Sequence, residues 1–66
     1  MNETALDKFM STTELAGDLA RRIAEYVADN HMGVSPDNVT WADAGSANYV
    51  MSRLEEIAEF LGLEAD

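Results

Sequence analysis

Six carboxylates in the first half of this sequence, Glu3, Asp7, Glu14, Asp18, Glu25 and Asp29, are spaced by four, seven, four, seven and four residues. Eleven residues make almost three whole helical turns, so a helix running from 3 to 29 would gather all six within an arc of about 80°. At 1.5 Å of rise per residue the members lie about 6 Å and 10.5 Å apart along the axis. The shorter step is near the distance between neighbouring phosphates on one nucleic-acid strand. The chemistry this permits is electrostatic: a rigid rod of carboxylates can occupy a groove built for a phosphate backbone. The alternative is that the acids lie opposite Leu15, Leu19 and Ile23, where any solvated helix places its charges. That alternative leaves the sign unexplained. A solvated face usually mixes Lys with Glu at four-residue spacing, whereas only Arg21 and Arg22 flank this row.

A second acidic group, Glu55, Glu56 and Glu59 with Glu64 and Asp66, decorates the outer face and end of the last helical stretch. Beside it Tyr49, Arg53 and Phe60 fall on one side of the helix, away from Val50, Leu54, Ile57 and Leu61. These residue types are enriched at interfaces and could anchor a partner or a second copy. Equally, Tyr49 and Phe60 could close over the N-terminal segment to complete a small core.

Other constellations carry less. His31 is the only histidine, and its place near a helix end suits a cation. Asp37 to Asn48 has the length of a calcium loop, but Ala42 stands where glycine is needed and Asn48 where glutamate is needed. Asn38, Val39 and Thr40 match a glycosylation acceptor, which has meaning only in a secreted chain. Ser46, in Asp43-Ala44-Gly45-Ser46, is similar to the modified serine of acyl carrier proteins. That motif wants Asp directly before the serine, and too few residues follow for the rest of that fold. No nucleophile, metal set or paired base stands at a usable spacing, so we expect no enzyme, no metal and no cofactor.

The elements that must position these groups are helical. Asn2 is expected to cap a short segment through Met10. Ser11 and Glu14 have capping-box spacing, predicting a new helix from Thr12 to about Met32 with Gly33 as its stop. Leu15, Leu19, Ile23, Tyr26 and Val27 form its apolar face. Ser35, Pro36 and Asp37 predict one helical turn in the connector. The last helix has Thr40, Asp43 and Ser46 as possible caps, of which we favour the earliest. Ala47, Val50, Met51, Leu54, Ile57, Ala58 and Leu61 make its stripe, and Gly62 ends it. The expected fold is all-α: an antiparallel helical hairpin with a short N-terminal helical segment and a one-turn helix in the connector.

The chain has 66 residues, no cysteine, 47% hydrophobic and 26% charged residues. This is one domain, residues 1–66, with enough apolar content to fold and too little length to bury a large core. A homodimer would relieve that shortage. Thirteen acids against four Lys and Arg give a net charge of −9, which would repel nucleic acid and anionic membranes and attract a basic protein. Met1 to Thr12 shows no signal-peptide pattern and no stretch is apolar enough to span a membrane, so the expected compartment is the cytoplasm.

The stretch Asn38 to Gly62, NVTWADAGSANYVMSRLEEIAEFLG, resembles segments of small proteins from prophages and other mobile elements. Taken whole, the short chain, the absent cysteines and the acid rows resemble the phage-encoded anti-CRISPR proteins, especially acidic inhibitors of type I systems, type I-C among them. That resemblance implies a non-enzymatic inhibitor in a bacterial host that binds a Cas subunit of the surveillance complex and blocks DNA recognition. Its leading contacts would be Glu14, Asp18, Glu25 and Asp29, then Glu55, Glu56 and Glu59, with Tyr49, Arg53 and Phe60 adding apolar anchorage. The alternative is a small mobile-element adaptor or regulatory protein whose acids serve solubility alone.

Overall fold

A computed structural model describes residues 4–63, and the chain is all-α. Two helices, α1 (Ala5–Ala24) and α2 (Trp41–Leu61), are joined by a connector that holds a short 3₁₀ turn at Pro36–Asn38. The residues divide into two compact units, Met1–Gly33 and Val34–Asp66. Each is described here by itself.

Helix α1 starts on Thr4, whose extended backbone (φ −91°, ψ 165°) leads into the first turn and whose hydroxyl accepts a hydrogen bond from the Asp7 amide at 3.0 Å. Asp7 also brings its negative charge to the positive end of the helix dipole. The Asn2 cap lies outside the described residues. From Thr4 the helix runs through Ser11 without a break, so the N-terminal segment and the first long helix are one element. The expected restart at Ser11 does not occur. Its hydroxyl donates to the Lys8 carbonyl at 3.2 Å, and the Thr13 hydroxyl donates to the Met10 carbonyl at 3.1 Å. Once a nucleus exists upstream, each further residue adds a bond at little entropic cost, and a serine in its path turns back on the preceding turn.

The far end of α1 also differs from expectation. After Ala24 the backbone widens into a turn over Glu25–Asp29, closed by the Asn30 amide on the Glu25 carbonyl at 3.2 Å. Three left-handed residues follow, His31 (φ 51°), Met32 (φ 56°) and Gly33 (φ 76°), and the Gly33 amide bonds the Asn30 carbonyl at 2.8 Å. Gly33 is part of the stop, as its type implies, but two residues with side chains share its conformation. A Cβ on Gly33 would lie 2.9 Å from the Tyr26 hydroxyl oxygen, so the tyrosine tip occupies the room that a side chain would need.

In the second unit the Pro36 turn forms as expected, with the Asn38 amide on the Ser35 carbonyl at 2.9 Å; the Ser35 hydroxyl makes no capping bond. Helix α2 begins at the earliest of its candidate caps. Thr40 and Asp43 form a reciprocal box: the Asp43 amide donates to the Thr40 hydroxyl at 3.2 Å, and the Thr40 amide donates to the Asp43 carboxylate at 3.0 Å. At the other end Gly62 (φ 75°) turns the chain, its amide on the Glu59 carbonyl at 3.1 Å and the Leu63 amide on the Ala58 carbonyl at 2.8 Å. This pair of hydrogen bonds satisfies carbonyls the helix would leave free.

Neither helix contains a buried residue. Ile23 and Val27 in the first unit, and Val50 and Ala58 in the second, are half-buried, and the remaining large apolar residues of both helices are exposed. A single helix cannot cover its own apolar face.

Candidate interaction faces

The acid row of the first unit rests on the continuity of α1. Asp7, Glu14 and Asp18 lie in one unbroken helix and, at 100° per residue, share an arc of about 40°. Glu25 continues the same phase, its amide bonding the Arg21 and Arg22 carbonyls. The wide turn then acts on Asp29. In an α-helix four steps overshoot a full circle by about 40°; at roughly 4.4 residues per wide turn they fall about 30° short. Asp29 therefore moves from one margin of the row to the other and stays within it. The five described acids span roughly 60°. Glu3, the sixth, lies outside the described residues.

Four of these five carboxylates stand exposed, and Asp18 is the exception. The Arg21 guanidinium donates to the Asp18 carboxylate from one turn along, leaving that side chain 47% exposed. So Arg21 does more than flank the row: it neutralises one of its members. Because both partners remain in solvent, the pair adds only about 0.2–0.5 kcal/mol to helix stability. Glu14 and Glu25, on either side of Asp18, are the row's free charges nearest the helix centre.

On α2 the structure brings Tyr49, Arg53 and Glu56 together. The Arg53 guanidinium carbon lies 5.1 Å from the Tyr49 ring centroid, within cation–π range. The same guanidinium reaches the Glu56 carboxylate at 3.4 Å, a loose contact between exposed groups. Glu56 is thus the partnered member of its acidic group, while Glu55 and Glu59 project on the outer face. Phe60 shares the Tyr49–Arg53 side of the helix and is 89% exposed. Glu64 and Asp66 lie outside the described residues.

One residue of this surface was missed by the reading of sequence alone. Trp41 is 92% exposed in the first turn of α2. It stands 18 residues, five whole turns, before Glu59, so the tryptophan and the acids share a face opposite the Leu54 stripe. The signal was available in that five-turn spacing.

Among the described residues no three acids or histidines converge where a metal ion could be held. No described helix is long and apolar enough to cross a membrane. Comparison with protein families, with characterised proteins and with solved structures finds no match to this chain.

Proposed function

We propose that this chain is a small acidic anti-CRISPR protein, a non-enzymatic inhibitor that lays its carboxylates into a basic, DNA-binding groove of a type I surveillance complex. The supporting observation is the continuity of α1 through Asp7, Glu14 and Asp18 and into the wide turn that carries Glu25 and Asp29, which gathers acids spread over 23 positions into a single narrow row. Carboxylates would take the places of phosphates along a Cas subunit in the host cytoplasm, and target DNA would be displaced. Glu14, Glu25 and Asp29 are the primary contacts, with Asp18 held in reserve by Arg21. Glu55 and Glu59 contribute from α2, and Trp41, Tyr49 and Phe60 supply the apolar anchorage that charge alone lacks. Attraction between the −9 chain and a basic groove speeds association and fades with salt. The screening length shrinks from about 10 Å at 0.1 M to about 3 Å at 1 M.

The test is a DNA gel shift with purified type I complexes. The wild-type chain should release DNA from one of them, and Glu14→Lys with Glu25→Lys should abolish release while keeping the helical circular dichroism. Unchanged release by that double variant would remove the acid row from the mechanism. A second reading, the mobile-element adaptor, draws on the exposed apolar side chains of both helices, which offer a surface for binding without charge. An adaptor would release DNA from none of the complexes, and its capture of a partner would survive high salt.

A further inference from the structure

Three successive left-handed residues close the first unit, and two of them carry side chains. His31 (φ 51°) and Met32 (φ 56°) hold a conformation that costs an L-residue about five- to thirty-fold in population. Such strain persists where the surroundings over-determine it, yet no residue from 25 to 33 is buried. A relaxed alternative exists for the same residues: a regular helix carried on through Met32 and stopped by Gly33 alone. In that register the Asn30 amide would pass from the Glu25 carbonyl, now at 3.2 Å, to the Tyr26 carbonyl, so a hydrogen bond changes partner without being lost. The backbone by itself therefore favours the regular helix by about 30- to 900-fold.

What the wide turn has in exchange is Tyr26. Its hydroxyl oxygen, Cζ and Cε1 lie 2.9, 3.7 and 4.0 Å from the place of a Gly33 Cβ, so the ring tip rests on the glycine backbone. A regular helix forbids that contact. Positions 26 and 33 would stand about 10.5 Å apart along its axis, and aromatic side chains in a helix lean back toward its N-terminus, away from Gly33. Tyr26 is 53% exposed. Covering the other half of a tyrosine, on the order of 100 Å², favours the wide turn by up to about 70-fold. Latch and strain are thus of the same order, and the two registers lie close in free energy.

We propose that residues 25–33 form a two-register switch latched by Tyr26: with the ring on Gly33 the turn is wide, and with the ring released the helix runs on to Met32. The change swings Asp29 through about 70° around the axis, from about 30° short of a full circle beyond Glu25 to about 40° past it. A basic partner that meets Asp29 better in one register selects that register, because a ligand shifts an equilibrium by its differential affinity. That consequence rests on the acid-row reading; the switch itself does not.

NMR of the full chain tests the switch. In wild type, His31 and Met32 should show the strong intraresidue amide–Hα NOEs of positive φ, and relaxation dispersion in the first unit should concentrate at residues 25–33. Tyr26→Ala should carry both residues to right-handed helical φ and raise the helical signal at 222 nm. His31→Gly with Met32→Gly removes the strain and keeps the latch, so it should reduce the dispersion at least tenfold. Tyr26→Phe, which keeps the ring, should behave as wild type. Left-handed His31 and Met32 in Tyr26→Ala, loss of helix from 25 to 33 in that variant, or wild-type dispersion that is absent or spread evenly along α1 would each overturn the proposal. In the gel shift, Tyr26→Ala and the double-glycine variant should differ at least threefold in the amount that releases DNA. A wild-type chain that releases none would sink the inhibitor reading alone; equal release by two variants of different register would sink only the link to Asp29.

Discussion

Alanine at two glycines of this chain should act with opposite sign, and the structure sets both magnitudes. Gly33 holds φ 76°, where an L side chain crowds the following carbonyl at a cost of about 1–2 kcal/mol. Its Cβ would also meet the Tyr26 hydroxyl oxygen at 2.9 Å, so the ring must move as well. Gly45 lies inside α2 with nothing within 4 Å of an added Cβ. There alanine removes backbone freedom from the unfolded chain and gains about 0.8–1.0 kcal/mol of helix propensity. The two variants should thus differ by about 2–3 kcal/mol. At 4–8 °C per kcal/mol for a domain of this size, that is a difference in Tm of roughly 10–20 °C, with wild type between them. Thermal unfolding followed at 222 nm, at one fixed protein concentration, reads it directly. If Gly33→Ala melted at or above wild type, the left-handed turn and the Tyr26 approach would both be wrong.

Cap assignments can be checked the same way. Thr40→Ala should lose about 1 kcal/mol and 4–8 °C in Tm, whereas Ser11→Ala should hold or gain up to about 0.5 kcal/mol because Ser11 sits in mid-helix. A large loss at Ser11 would restore the helix start that the structure does not have. Arg21→Ala should change stability by no more than about 0.5 kcal/mol yet strengthen DNA displacement by freeing Asp18, as seen in competition titrations; weakened displacement would show that Arg21 itself touches the partner. Removing the ring with Tyr49→Leu should leave melting within about 1 kcal/mol of wild type while loosening partner capture at high salt, where apolar anchors carry more of the affinity.

Much of this fold was legible in the residues. The all-α class, the single turn at Pro36, the start of α2 at Thr40 and the stop at Gly62 follow from local chemistry: proline fixes φ, a hydroxyl and a carboxylate three residues apart close a box, and glycine takes the left-handed turn. The acids' spacing likewise required only counting. The errors came where one side chain has two local uses. Ser11 with Glu14 matches a cap by spacing, yet a serine hydroxyl serves equally as a donor to the previous turn. Thr4 with Asp7 presents nearly the same pattern and is the one used. Arg21 could flank the row or join it, and only its rotamer decides.

By itself, then, the sequence determined the sign and amount of charge, the helical period, and the angular separation of acids from apolar side chains. These are properties of residue order, and they survive any small change in backbone path. The three-dimensional structure alone decided which of two capping pairs opens α1, where the helix widens after Ala24, and that Glu25 and Asp29 lie on that wide turn. Those choices depend on cooperativity. A helix nucleated at Thr4 propagates through every downstream cap signal until competing hydrogen bonds, here the Asn30 amide on the Glu25 carbonyl, outcompete the next regular turn.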